Sequence, residues 1–252
     1  MKITFLGTGP SLGTPIISCN CEVCKSTDKR DNRLRSSIMI EIEGKTIIID
    51  AGPDFREQML KYNPESKLDA IIITHGHRDH IAGLDDVRPF NFIQDKAVRV
   101  YAENNVIDLI HNQFFYSFGE ELYKYGVPRF ELIPIDENKF EIDRIEITPI
   151  RVFHSMPMLG FRIKDFAYIT DAKKIEESEF EKLKNIDTLV INALRKKVHP
   201  THFNLEEAIA VINKINPKKA FLTHMSHRIG KHKELEKILP KNIHPAFDGL
   251  VI

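Results

Sequence analysis

Thr74-His75-Gly76-His77-Arg78-Asp79-His80 follows directly on the apolar run Ala70-Ile71-Ile72-Ile73. Three histidines and a carboxylate stand on one short stretch. The run before them reads as a buried strand, so the cluster occupies the turn leaving its C-terminal end. Imidazole and carboxylate together suit first-row divalent metals. Residues at adjacent and alternating positions of a tight turn can address two neighbouring centres. The competing reading, a polar loop with incidental histidines, is weakened by matching residues downstream.

Those residues share one placement. His154 follows Val152-Phe153, Asp171 follows Tyr168-Ile169-Thr170, and His224 follows Ala220-Phe221-Leu222-Thr223. Each is a metal-binding type at the C-terminal end of an apolar strand, where ligand pockets of layered α/β folds gather. A single histidine after a strand is usually a hydrogen-bonded rim residue. The repetition argues for a site.

The surrounding chain alternates strand and helix. Strands are expected at Lys2–Leu6, at Ser37–Glu43 and Lys45–Asp50 as a hairpin, and at Ala70–Thr74, Val98–Ala102, Phe130–Ile135 and Ile145–Phe153. Gly160–Ile163 with Phe166–Thr170, Thr188–Ile191, Lys219–Thr223 and a closing Ala246–Ile252 complete them. Helices are expected at Asp54–Tyr62 with Asp54 as cap, at Asn104–Phe118, Ile175–Leu183 and Lys231–Leu239, and from Asn204. Glu207, three residues after Asn204, completes a capping box. No internal linker is evident. Both halves end strands at candidate ligands, which hints at a pseudo-repeat.

The 252 residues are 42% hydrophobic, ordinary for one globular domain. Lys plus Arg equal Asp plus Glu at 36 each, so long-range attraction to nucleic acid has no global support. No apolar run approaches a membrane span and no signal segment is visible, which favours the cytoplasm. All three cysteines lie in Cys19-Asn20-Cys21-Glu22-Val23-Cys24. An odd, tightly spaced set argues against a disulfide framework and suits a thiolate metal site with a fourth ligand from elsewhere.

The ligand pattern Thr74-His75-x-His77-x-Asp79-His80, then His154, Asp171 and His224, resembles the metallo-β-lactamase superfamily over nearly the whole chain. The resemblance implies an α/β fold, an αβ/βα four-layer sandwich of two mixed sheets, with residues 1–252 as a single domain. It implies a binuclear site of two divalent ions (zinc, manganese or iron). His75, His77 and His154 would hold one, Asp79, His80 and His224 the other, and Asp171 would bridge them. Cys19-x-Cys21-x-x-Cys24, with His227 three residues after His224, resembles the phosphodiesterases that act on phosphoribosyl cyclic phosphate in phosphonate breakdown. There these four residues hold a structural zinc. In the phosphodiesterase branch a histidine on the segment before the helix at Asn204 assists phosphate chemistry; the match falls on His202, with His199 the weaker alternative.

The function this implies is hydrolysis of a small, cyclic phosphate diester by metal-activated hydroxide. Asp79 orients the nucleophile, and His202 protonates the leaving oxygen or stabilises charge. Arg88, in Asp85-Asp86-Val87-Arg88, either touches the phosphate or pairs with Asp85. Two alternatives are a transfer-RNA 3′-end endonuclease and a cofactor-biosynthesis member of the superfamily. The nuclease class carries a glycine- and proline-rich RNA-clamping arm not found here. The expected partner is a small-molecule phosphodiester, not nucleic acid or membrane, and a homodimer is compatible with the chain. His111, His232 and His244 read as surface or packing residues.

Overall fold

The computed structural model describes all residues except 64, 66 and 120–124. The chain divides into two compact units. One is Met1–Gly7, Arg35–Asp136 and Gly249–Ile252; the other is Thr8–Leu34 and Glu137–Asp248.

The first unit holds a six-stranded mixed sheet in chain order. β1 (Lys2–Gly7), β2 (Ser37–Ile42) and β3 (Lys45–Ile49) form an antiparallel meander. Glu43 and Gly44 both have positive φ, 51° and 75°, the backbone a two-residue hairpin loop needs to match strand twist. β4 (Ala70–Ile72), β5 (Val98–Ala102) and β6 (Phe130–Pro134) continue the sheet in parallel. Parallel strands are covered on both faces, and Ile47, Ile48, Ile49, Ile71 and Ile72 are all fully buried. Helices α1 (Phe55–Tyr62), α2 (Arg78–Ile81), α3 (Arg88–Gln94) and α4 (Asn104–Gln113) connect the strands. Phe55, Ile81, Leu84, Val106 and Ile110 pack into this unit's core.

The second unit repeats the scheme. β7 (Phe140–Ile142) pairs with β8 (Ile145–Phe153), which begins an antiparallel meander with β9 (Pro157–Ile163) and β10 (Phe166–Ile169). A short β11 (Lys174–Ile175) pairs with the end of β8, while β12 (Thr188–Asn192), β13 (Lys219–Thr223) and β14 (Ile243–Pro245) follow in parallel. α5 (Leu205–Ile215) and α6 (His232–Ile238) provide the helices. Leaving aside β7 and β11, which both pair antiparallel with β8, each unit runs through two antiparallel pairings and then three parallel ones. The pseudo-repeat hinted at by the strand-end ligands is present in the order of strand directions.

Local differences from the sequence reading have local causes. Ile175–Leu183 is not an α-helix; Glu177–Leu183 forms 3₁₀ turns, whose three-residue period fits Phe180 and Leu183. The closing strand is Ile243–Pro245. Gly249, at φ 91°, turns the tail so that Ile3 and Ile252 exchange backbone hydrogen bonds at 2.9 Å. Asp54 precedes α1 but does not cap it with its side chain; its carboxylate takes the Arg35 backbone N–H at 2.8 Å and guanidinium at 3.0 Å. Among the described residues no helix is long and apolar enough to cross a membrane.

Candidate active site

In the first unit the site begins at Asp50, which closes the apolar strand β3 and is fully buried. Its carboxylate accepts the Thr74 backbone N–H at 2.9 Å, the Thr74 hydroxyl at 3.0 Å and His80 Nδ1–H at 2.7 Å. Burial pushes this carboxyl up, and the facing His80 and Thr74 donors pull it back. Because the Thr74 hydroxyl gives its proton to Asp50, it must accept from His75 Nδ1, 3.0 Å away. One carboxylate therefore sets the tautomer of two rings, His80 directly and His75 through Thr74. Both carry their proton on Nδ1 and direct Nε2 the other way.

His75 Nε2 lies 2.9 Å from His77 Nδ1, and His80 Nε2 lies 3.3 Å from Asp79 Oδ2. Two donor atoms sharing one ion at roughly 2.0–2.2 Å stand roughly 2.8–3.6 Å apart, so both spacings fit a shared divalent cation. The turn bearing them is docked tightly. His80 accepts the Ala51 backbone N–H at 2.8 Å, and a Cβ on Gly52 would overlap the Asp79 carbonyl. Gly83 is confined likewise against the Gly52 carbonyl. Arg88 gives its guanidinium to Asp85 at 2.5 Å, the ion-paired alternative of the sequence reading. Tyr116 donates to the other Asp85 oxygen, and burial with that carboxylate pushes its hydroxyl up to about 12.

In the second unit His154, Asp171, His202 and His224 lie close together. His154 Nδ1–H donates to the Thr201 carbonyl at 2.7 Å; a carbonyl only accepts, so Nε2 carries the lone pair. Asp171 Oδ1 is 3.0 Å from His224 Nε2 and 3.2 Å from His202 Nε2. The Thr170 hydroxyl donates to Asp171 Oδ2. The ligand atoms of His154, Asp171 and His202 all lie within 4.8 Å of one another. His202 is anchored through its C-terminal neighbours: Phe203 N–H binds the Ala172 carbonyl at 2.7 Å, and Asn204 with Glu207 forms the expected capping box of α5. Asp50, Asp171 and His224 all adopt left-handed backbone, with φ of 66°, 56° and 53°. Such strain in non-glycine residues gathers where side chains are aimed for function.

The thiolate set also lies in the second unit. His227 Nδ1 is 3.3 Å from Cys19 and Cys21 Sγ and 3.5 Å from Cys24 Sγ. A tetrahedral zinc with usual bond lengths puts sulfur and nitrogen roughly 3.5 Å apart, so the four fit a closed Cys₃His site. The Cys24 backbone N–H draws the Cys21 thiol down to about 6, whereas burial pushes Cys24 up to about 11.

The sequence reading missed Asp50 and Thr201 as orienting groups. Asp50 met the criterion used for the others, an acidic residue closing the apolar run Ile47-Ile48-Ile49. Thr201 acts through its carbonyl, which no side-chain pattern reveals. His111, beside Phe118, and His244, beside Phe221, are exposed, whereas His232 is buried against Phe247, so the three are surface or packing residues as expected.

Residues 45–225 match the β-lactamase superfamily domain. The chain belongs to the metallo-β-lactamase superfamily. Its fold is the metallo-β-lactamase fold expected from the ligand pattern. The crystal structure of a diphosphatase from the PhnP family matches with a TM-score of 0.91 at 37% identity, covering 100% of this chain and 96% of that one. This places the chain in the PhnP family as well. A Porphyromonas gingivalis protein named octanoyltransferase is 41% identical over 99% of this chain and 51% of its own length. The chain spans about half the length of the curated relatives it matches. Zinc-bound PqqB from Methylobacterium extorquens, at TM-score 0.80 and 20% identity, covers 100% of this chain and 99% of that one and shares the fold.

Proposed function

We propose that this protein is a binuclear metal-dependent phosphodiesterase that hydrolyses a small, cyclic phosphate diester. The observation that carries this reading is the preset tautomers: hydrogen bonds leave Nε2 of His75, His80 and His154 as the donor nitrogens, with Asp79 and Asp171 as companion carboxylates. Acceptor-fixed imidazoles are how proteins hold a metal. His75, His77 and His154 would hold one divalent ion, Asp79, His80 and His224 the second, and Asp171 would bridge. In this reading residues 1–252 act as one domain. Cys19, Cys21, Cys24 and His227 would hold a separate structural zinc.

Two divalent ions, when bound, supply Lewis acidity toward the phosphoryl oxygens and acidify a water. The chain's own residues do the rest. Asp79 orients the nucleophile. As its oxygen bonds to phosphorus and the ester P–O bond breaks, His202 Nε2–H passes its proton to the leaving oxygen. His202 is suited by its burial beside Asp171. Net charge zero supports a small substrate over a nucleic acid. The PhnP-family relative's name adds a diphosphate linkage to the substrates worth testing.

The test is turnover of cyclic diesters, linear diesters, a diphosphate and a transfer-RNA precursor by chelator-stripped protein given back zinc, manganese or iron. Metal-restored cleavage of a small cyclic diester is expected to be fastest. Cleavage confined to the RNA precursor would replace this reading with the nuclease one.

A further inference from the structure

His199 has no role in the site as assigned above. It opens His199-Pro200-Thr201-His202, and its Nδ1 accepts a hydrogen bond from the Thr201 backbone N–H at 3.3 Å. A backbone amide can only donate. That nitrogen therefore presents a lone pair, and the ring proton of neutral His199 sits on Nε2. Burial, followed by the neighbouring His202, lowers the His199 pKa and favours that neutral form.

The same Nδ1 stands 3.2 Å from Nδ1 of His202. Two bare ring nitrogens at that separation repel, and the contact becomes a hydrogen bond when His202 Nδ1 carries the proton. The Thr201 hydroxyl, 3.0 Å from His202 Nδ1 and 3.3 Å from His199 Nδ1, closes the group. The opposite edge of the His202 ring faces Asp171, with Nε2 3.2 Å from Oδ1. A carboxylate only accepts, so the His202 ring that donates a proton carries one at each edge, Nε2–H toward Asp171 and Nδ1–H toward His199.

We propose that His199 is a positioning residue: as a fixed acceptor for His202 Nδ1–H, it sets the tautomer and rotation of that ring, making Nε2 the nitrogen that exchanges a proton with substrate. The inference rests on the phosphodiesterase reading, with His202 as proton donor. In the step itself the P–O bond breaks, the leaving oxygen takes the Nε2 proton, and the Nδ1 proton stays where His199 holds it. Solvent then returns a proton to Nε2. Without His199, Nδ1 keeps only the Thr201 hydroxyl as a partner, and the ring can rotate to present Nδ1.

His199→Asn places a carboxamide oxygen where Nδ1 stood and keeps the acceptor; His199→Ala removes it. On a cyclic phosphodiester the Ala variant should lose about tenfold in kcat, the lower end of what outer partners of site histidines cost. KM and metal content should not change, and the Asn variant should stay within about twofold of wild type on the same reasoning. In a His202→Ala background, His199→Ala should cost nothing further, because coupled residues do not add. Long-range ¹H–¹⁵N spectra of histidine-labelled protein give a readout independent of turnover. His202 should be protonated at Nδ1 in wild type and His199→Asn, with mixed tautomers in His199→Ala. Equal losses in the Asn and Ala variants, an additive loss in the His202→Ala background, or a wild-type His202 protonated only at Nε2 would each overturn the proposal. If wild type cleaves no phosphodiester, the functional reading fails on its own, and the spectra still decide the tautomer.

Discussion

Replacing Asp50 with asparagine changes one oxygen to an amide nitrogen and almost no volume. The native carboxylate serves Thr74 twice and His80 once, and Thr74 in turn orients His75. In Asp50→Asn the single oxygen can still serve Thr74, which turns the new NH₂ toward His80 Nδ1–H, donor against donor. The escape is for His80 to move its proton to Nε2, and that removes the lone pair offered to the ion. One charge-assisted bond is exchanged for a neutral one, a folding cost of roughly 1–2 kcal/mol. The larger effect falls on metal, since losing an orienting partner lowers affinity about 10–100-fold, or roughly 1.4–2.7 kcal/mol. Calorimetric titration of stripped protein with zinc measures this, and the Cys₃His set serves as an internal control that should bind as in wild type. Unchanged affinity at every site, with normal turnover, would refute the claim that Asp50 sets the ligand tautomers.

The same geometry gives further expectations. Gly52→Ala drives a methyl into the Asp79 carbonyl and should shift the metal-binding turn, seen as lower thermal stability and reduced metal content together; a variant with native metal load would mean the backbone yields freely. In chelator-treated protein at neutral pH, Cys21, drawn down to about 6, is mostly thiolate, while Cys24, pushed up to about 11, is protonated. Iodoacetamide should therefore label Cys21 before Cys24, read by peptide mass spectrometry, and added zinc should suppress both. Equal labelling would place the two thiols in equivalent surroundings. His202→Ala should keep fold and metal while kcat falls by about 10²–10⁴, with a smaller loss on nitrophenyl esters, whose leaving group hardly needs a proton. An identical loss on activated and unactivated esters would leave His202 only a binding or charge-stabilising role.

Much of this was legible because burial and chemistry coincide in the sequence. Ile-rich runs announce the parallel strands, and acidic or histidine residues closing those runs announce the ligands. The capping box at Asn204 and the hairpin at Glu43-Gly44 are local signals and appear as expected. What stayed hidden depends on partners distant in sequence. Asp54 looked like a helix cap because nothing nearby shows Arg35 claiming its carboxylate. Asp50 looked like the end of a strand because Thr74 and His80, its donors, come more than twenty residues later. α2 is too short to show a helical period, and α3 carries only Phe90 and Asn91 to the core. The 3₁₀ turns at Glu177–Leu183 share composition with a helix and differ only in period.

If the proposed phosphodiester chemistry depends on the proposed metal ions, activity must track metal loading. Stepwise metal return to stripped protein, with turnover of a cyclic phosphodiester measured at each equivalent, tests this directly. No turnover is expected when the first equivalent fills the Cys₃His site, and activity should rise to its full value as two further ions bind. His75→Ala and Asp171→Ala should each abolish that rise. Full activity in the stripped protein, or a normal rise in either variant, would contradict the proposed site.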